Sequence, residues 1–258
     1  NTFVRSLRSE IRKMTSLRST WLTLGLWLGF GILITWAMAA TLTNGQNNVG
    51  GINVHGEFHP IFITGSAQLY YIFAMVLGAL AVTGEYASNT MRTTIVSQTS
   101  RMRAFTSKIA AVTIVMGIAT AVIIAVLVAV TLLAGGLSWN GGDGNLRALL
   151  LFWLACVLTA LMITGAGYIL RSTAGSIVTG VMVLFVSEML RLVPVKFFRE
   201  TLPKFLPSGA TSGMTVSDTA NPTQTIDYLS PGTATLVWLV YVSVFVILGA
   251  IRYQKSDA

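Results

Sequence analysis

VTGEYASNTMRTTIVSQTSRMRAFTSK, residues 82–108, separates two long apolar runs. It carries Arg92, Arg101, Arg103 and Lys108 against the single acid Glu85, too much charge for a hydrocarbon core, yet it is rich in helix formers. A polar helix held between two apolar runs has no hydrocarbon to bury itself in. It presents its faces to water, to headgroups or to another protein. The flanking runs therefore decide the fold class, and this segment decides where to look for function.

Hydrophobic residues make up 53% of the 258, charged residues 10%, and the mean hydropathy is +0.71. Soluble domains carry about a quarter charged residues, so the composition is that of an integral membrane protein. The only cysteine, Cys156, lies inside an apolar run, which rules out an intrachain disulfide and makes the thiol a small buried hydrophobe.

Six runs, 21–42, 61–82, 109–133, 148–170, 174–190 and 232–251, are long enough to cross a core of roughly 30 Å as helices. The expected fold is all-α with six spans, the fifth being the shortest. An even number puts both termini on one side. Twelve of the 17 basic residues fall on that side and five on the other, while six of nine acids lean the opposite way. By the positive-inside rule the termini are expected in the cytoplasm and the chain in the cytoplasmic membrane. The net charge of +8 is thus a topological signal; a nucleic-acid partner would need a soluble basic face with readout elements, which the sequence lacks. Ala37-Met38-Ala39 resembles a cleavage site behind a basic start, but its apolar run of about 22 residues exceeds a signal-peptide core, so a retained first span is expected.

In residues 1–20, Phe3, Leu7, Ile11, Met14 and Leu17 recur at helical spacing, with Arg5, Arg8, Arg12 and Lys13 on other faces. This predicts an amphipathic helix at the headgroup level, serving as a lipid anchor or as a partner contact. Thr113, Gly117, Ala121, Ala125 and Ala129 form a small-residue ladder in the third span, and Gly25 and Gly29 a shorter one in the first. Such faces let helices approach closely, within the chain or across a dimer seam, with in-chain packing the commoner outcome.

Seven strings carry a resemblance: SLRSTW at 16–21, VTGEY at 82–86 with MRTTI following, SRMRAFTSK at 100–108, LRSTAGS at 170–176, KFLPSGA at 204–210, LSPGTA at 229–234 and the tail RYQKSDA. In this order around six spans, the chain resembles the permease subunits of ABC-2 type exporters, especially compact actinobacterial forms. It departs from them at Gln98-Thr99-Ser100, where relatives often carry a proline, and in a rather long loop after the fifth span. The resemblance implies a permease that binds no cofactor itself and pairs with a second permease, identical or related, and with separate ABC ATP-binding subunits that use ATP and magnesium. Independently, the chain contains no G-x-x-x-x-G-K-[ST] phosphate loop. An ATPase site on this chain, and with it enzyme activity of its own, is not expected.

The same resemblance makes residues 83–108 the expected coupling segment. Gly84 is placed to break the second span, Glu85 falls where a helix start favours negative charge, and Arg101, Arg103 and Lys108 where a helix end favours positive charge. Glu85, Tyr86, Asn89 and Arg92 give the face expected to engage an ATPase, with Arg101 following and the short turn at Arg171 as a second contact. Glu188 and Arg191, three apart near the end of the fifth span, are either a snorkelling ion pair or a polar gate and cargo contact.

His55, Glu57 and His59 crowd one loop, but not in the H-E-x-x-H order that sets two ligands on one helical face, so no metal site is expected. Between spans five and six, residues 191–231, the Lys196–Leu202 stretch alternates in a way that suits a short re-entrant or interfacial helix, and 212–225 has the composition of an exposed loop. The functional expectation is the permease half of an ATP-driven exporter for an amphiphilic cargo: a drug, antibiotic, lipid or hydrophobic peptide. Membrane lipids complete its partners. The alternatives are a secondary transporter or channel, which calls for buried ionisable relays and inverted repeats, and a lipid-modifying enzyme, which calls for a clustered acid, base, metal or nucleophile.

Overall fold

The structure, a computed structural model, describes residues 2–43, 48–49, 52–53, 57–87, 101–139, 143–191, 195, 197, 201–215 and 229–255. Its helices are α1 (Thr2–Ser16), α2 (Arg18–Thr43), α3 (Ile61–Thr64), α4 (Ala67–Ala87), α5 (Arg101–Gly135), α6 (Asp143–Leu170), α7 (Thr173–Arg191), α8 (Pro207–Thr215) and α9 (Pro231–Gln254). A 3-10 turn at Leu202–Phe205 precedes α8, and a two-stranded antiparallel ribbon pairs Asn48–Val49 with Ile52–Asn53.

The protein is helical and suited to a membrane. Among the described residues five helices, α2, α4, α5, α6 and α9, are long and apolar enough to cross one. The run expected as the fifth span is helical too, but its described apolar part, Thr173–Val186, is shorter than the rest.

Local chemistry sets the helix ends. Gly136 adopts φ +60 after α5, and the Leu137 N–H then closes on the Leu132 carbonyl, the left-handed exit that glycine takes without a Cβ penalty. Pro231 opens α9 at a position that needs no N–H partner.

Helix α6 is the hub, packing against α4 on one side and α9 on the other, with α5, α7 and α8 around it. Two glycine crossings bring these backbones together. A Cβ on Gly78 of α4 would strike the Ala160 carbonyl of α6, and Thr164 Oγ1 donates to the Gly78 carbonyl at 3.2 Å. Across the hub, a Cβ on Gly249 of α9 would come within 2.9 Å of the Gly165 carbonyl. Without a hydrophobic drive between helices in lipid, such close backbone contact supplies the packing energy.

The expected ladder in the third span lies differently. Thr113, Ala121, Ala125 and Ala129 are exposed, and α5 buries Ala111, Val112, Met116, Thr120, Ile123 and Leu127 instead. Gly25 and Gly29 also face open space. Within the chain only Gly117 of these is engaged, its carbonyl accepting from Trp153 Nε1 at 2.8 Å.

Three further expectations change. Gly84 does not break the second span, because α4 continues through it to Ala87. Arg101 to Lys108 likewise belong to α5, so the two described ends of segment 83–108 are extensions of the flanking helices; residues 88–100 lie outside the described residues. A short helix between spans forms at Pro207–Thr215, which takes Ser212 to Thr215 out of the expected exposed loop; of the expected Lys196–Leu202 helix, residues 196 and 198–200 lie outside the described residues. Pro207 to Thr211, Gly213 and Met214 are buried against α6, α7 and α9. Gly209 has no room for a Cβ against the Pro203 carbonyl.

Candidate functional site

Helix α1 presents its Ser6, Glu10 and Met14 edge to α5, and all three residues are buried. Leu7 and Ile11 pack alongside, while Phe3 and Leu17 stay exposed. The amphipathic helix is therefore partly a protein contact. Glu10 is the consequence: a carboxylate on the apolar face must find a cation or lose its charge.

It finds two. Lys108, near the start of α5, forms an ion pair with Glu10 Oε2, and Lys13 Nζ donates to Glu10 Oε1 at 2.8 Å. The same two ammonium groups reach Glu85 at the end of α4, Lys108 at 2.6 Å and Lys13 at 3.1 Å. Acids and bases alternate around a closed ring of four, with no net charge. The inner pair is almost dry, with side-chain exposures of 1% for Glu10 and 4% for Lys108, whereas Glu85 is at 13% and Lys13 opens to solvent at 44%. Burial works to raise the Glu10 carboxyl, but the Lys108 charge, its hydrogen bond and those of Lys13 win and hold it below its ordinary value of 4.5. Burial likewise works against the Lys13 ammonium, and the two carboxylates overcome it and hold it above 10.5. Ser6 Oγ and Ser107 Oγ share a hydrogen bond of 2.8 Å beside the ring.

Around this charged knot the other helix ends are tied in. Arg171 lies over the Tyr86 ring, 5.7 Å from its centroid. It does so from a two-residue turn between α6 and α7 in which it adopts φ 54, a left-handed conformation that costs a non-glycine residue about 1 kcal/mol. Thr83 Oγ1 and Thr173 Oγ1 are 2.7 Å apart, joining α4 to the start of α7. Phe105, Tyr168 and Tyr253 pack in tilted and edge-to-face contacts at 4.9 to 6.1 Å between centroids, joining α5, α6 and α9. Arg101 Nη1 donates to the Gln254 carbonyl at 3.1 Å.

The structure thus brings four expected residues, Glu85, Tyr86, Arg101 and Arg171, to one end of the bundle. Asn89 and Arg92 lie outside the described residues. Glu188 and Arg191 end α7, and their side chains lie outside the described residues as well. Their backbone stands roughly 25 Å of helix away from the Arg171 turn. Glu10 and Lys13 were not anticipated as site residues, although Glu10 falls three after Leu7 and four before Met14, inside the apolar stripe itself.

In the other loop cluster, Glu57 bridges to Ser138, and His59 Nδ1 accepts from the Ile61 N–H at 3.2 Å, capping α3. Burial holds the His59 imidazole below its ordinary value. His55 lies outside the described residues. Between α1, α2 and α5 runs an apolar groove of ≈ 510 Å³, lined by Ile11, Trp21, Gly25, Ile118 and Val122 among others.

A family profile described as "Protein of unknown function (DUF2705)" matches residues 44–258. The chain belongs to the DUF2705 family. The match takes in α3 to α9, and hence Glu85, Lys108 and the Arg171 turn; α1, which brings Glu10 and Lys13 to the knot of this DUF2705 member, precedes it. No curated protein matches the chain.

Proposed function

We propose that this chain is the permease subunit of an ATP-driven exporter of the ABC-2 type. In this reading it has six spans, sits in the cytoplasmic membrane with both termini in the cytoplasm, and pairs with a second permease and with separate ATP-binding subunits. It binds no nucleotide, moves an amphiphilic cargo, and takes its drive from the partner ATPase. Asn89 and Arg92 join Glu85, Tyr86, Arg101 and Arg171 in receiving that drive, and Glu188 and Arg191 serve the pathway.

One observation carries the reading: the basic end is a single locked body. In sequence residues 88–100 join Ala87 to Arg101, and both of these belong to helix ends cross-tied to α1, to the Arg171 turn and to Gln254. A push on that segment is passed to several helices together instead of being absorbed in a loop, as rigid-body coupling requires. The secondary-transporter alternative calls for ionisable groups through the bundle. Among the described residues the buried charged side chains are Glu10 and Lys108, both at this one end.

Affinity capture of the chain from its native membrane, read by mass spectrometry, tests the proposal. A co-purifying nucleotide-binding subunit is the expected result, and a companion membrane chain would make the permease pair a heterodimer. Transport by the purified chain alone in liposomes without nucleotide, or labelling of the Glu85 neighbourhood from outside the cell, would overturn it.

A further inference from the structure

The apolar groove of ≈ 510 Å³ between α1, α2 and α5 has a definite depth. Its walls run from Thr20 to Leu28 on α2 and from Ile114 to Ile123 on α5. At a rise of 1.5 Å per residue that is about 13 Å, close to half of a hydrocarbon core of roughly 30 Å. The groove is one leaflet deep. Its lining starts in the first turn of α2, next to α1, where Trp21 Nε1 donates to the Thr15 carbonyl at 2.7 Å and the Trp21 ring forms part of the wall. An indole with an apolar body and a polar tip suits the membrane edge.

The floor of the groove is open. A Cβ on Gly25 would meet nothing within 4 Å, so the chain's own side chains do not fill the depression. Water does not occupy an apolar slot of this kind, and an empty slot forfeits dispersion contacts, so hydrocarbon belongs in it. The rim decides which molecule brings that hydrocarbon. On α1, Arg8 stands three before Ile11 and Arg12 three before Thr15, which places both arginines on the flank of the helix that carries these two lining residues. Arg8 and Arg12 are exposed, and none of the described acids pairs with either. Glu10, the one acid of α1, is taken up by Lys108 and Lys13 in the ring. Two arginines at the rim of a leaflet-deep apolar slot match a phosphate joined to an acyl chain, because a planar guanidinium takes phosphate oxygens in pairs.

We propose that this groove binds one anionic phospholipid, with an acyl chain between α2 and α5 and its phosphate on Arg8 and Arg12. Helix α1 is then held by lipid as well as by Lys108. The site stands whether or not the chain works with an ATPase. A second copy of the chain is the rival occupant, but a spanning helix calls for a seam through the whole core of roughly 30 Å, and the groove ends near its middle.

The test titrates the full chain in dodecyl maltoside with dioleoylphosphatidylglycerol in one arm and dioleoylphosphatidylcholine, which carries the same chains, in the other. Bound lipid is read by native mass spectrometry alongside the unfolding midpoint. One phosphatidylglycerol should be retained per chain, saturably and with a rise in midpoint, at an apparent affinity roughly tenfold or more above that for phosphatidylcholine. Arg8→Gln combined with Arg12→Gln should abolish this preference. Arg252→Gln combined with Lys255→Gln removes the same charge from two exposed positions at the end of α9 and should leave the preference intact. Gly25→Leu puts a side chain into the open floor and should weaken the binding of both lipids several-fold. Retention of neither lipid, equal retention of both, a preference that survives the arginine double variant or an affinity that Gly25→Leu leaves intact would each overturn the proposal. So would a dimer that Gly25→Leu breaks and phosphatidylglycerol does not affect, which assigns the groove to a second copy.

Discussion

Lys108 of α5 and Glu10 of α1 form an ion pair out of reach of solvent, and the same ammonium holds Glu85 of α4 at 2.6 Å. Three helices meet at one side chain. Taking a carboxylate and an ammonium out of water is expensive, and the expense is offset here because each inner charge has two opposite neighbours in the ring. Such an arrangement has one good geometry, so it specifies how α1 docks more than it adds net stability.

Removing one inner charge should therefore do more damage than removing both. Glu10→Gln leaves Lys108 buried beside Glu85 alone, and is expected to cost up to about 3–5 kcal/mol. Glu10→Leu combined with Lys108→Met removes the need for pairing and should recover most of that loss. Denaturant unfolding in mild detergent of Glu10→Leu, Lys108→Met and the double variant, read as a double-mutant cycle, measures the coupling; strictly additive losses would mean that the ring is not coupled.

The ring also predicts how stability follows pH. Glu10 is held below 4.5 in the folded state, so its contribution is fully present above that value and is lost as pH falls through the lower folded value. Lys13 is held above 10.5, so its contribution is present below that value and lost as pH rises through the higher folded one. Thermal unfolding from pH 3 to pH 11 should show a plateau with losses at both ends. Glu10→Gln should flatten the acid limb and leave a shallower alkaline one.

Much of this fold is legible in the sequence because lipid imposes a simple demand, a long apolar run. Five of the six expected runs contain helices of spanning length and the fifth run a shorter apolar one; ends are displaced by up to eight residues, at Arg101, and the second run is divided between α3 and α4. Helix α8 was not legible: PSGATSGMT is small and polar, reads as loop, and is helical because α6, α7 and α9 enclose it. Of the knot, Glu10 could be read from its phase within the apolar stripe. The pairing of Lys108 with Glu10 and Glu85 could not, since only the packing of α1 and α4 on α5 brings those residues together.

Membership of the ring makes Glu85 an unsuitable probe of coupling. Charge reversal there would set a third cation against Lys13 and Lys108 and loosen the helix ends whatever the partner. Arg92→Glu is the better variant. On the proposed reading, the chain reconstituted with its ATPase should show lower cargo-stimulated ATPase activity in this variant with little change in the unfolding midpoint, whereas Glu85→Lys should lower both. Full stimulation in Arg92→Glu would remove Arg92 from the interface.

The glycines divide by what stands opposite them. Gly78→Ala drives a methyl into the Ala160 carbonyl and should force α4 off α6, a strain typically worth about 1–3 kcal/mol. Gly25→Ala meets open space and should be neutral, or stabilising by up to about 1 kcal/mol through helix propensity. Midpoints of the two variants in the same detergent separate these outcomes. A loss at Gly25 as large as at Gly78 would mean that a partner covers the exposed face of α2.

Arg171 sets a turn and a charge at once, and glycine substitution separates the two. Arg171→Gly removes the left-handed strain, a gain of about 1 kcal/mol, and forfeits the contact with the Tyr86 ring, a loss of about 0.5–1 kcal/mol at an exposed site. The unfolding midpoint should barely move. If the proposed coupling runs through this turn, ATPase stimulation in the reconstituted exporter should fall, because the end of α4 is no longer held against the α6–α7 corner. Arg171→Lys keeps the strain and the charge and should retain most of the stimulation. Parallel measurement of midpoint and stimulation for the two variants decides it: a matched fall in both quantities for Arg171→Gly would make the residue a stabiliser of the fold alone.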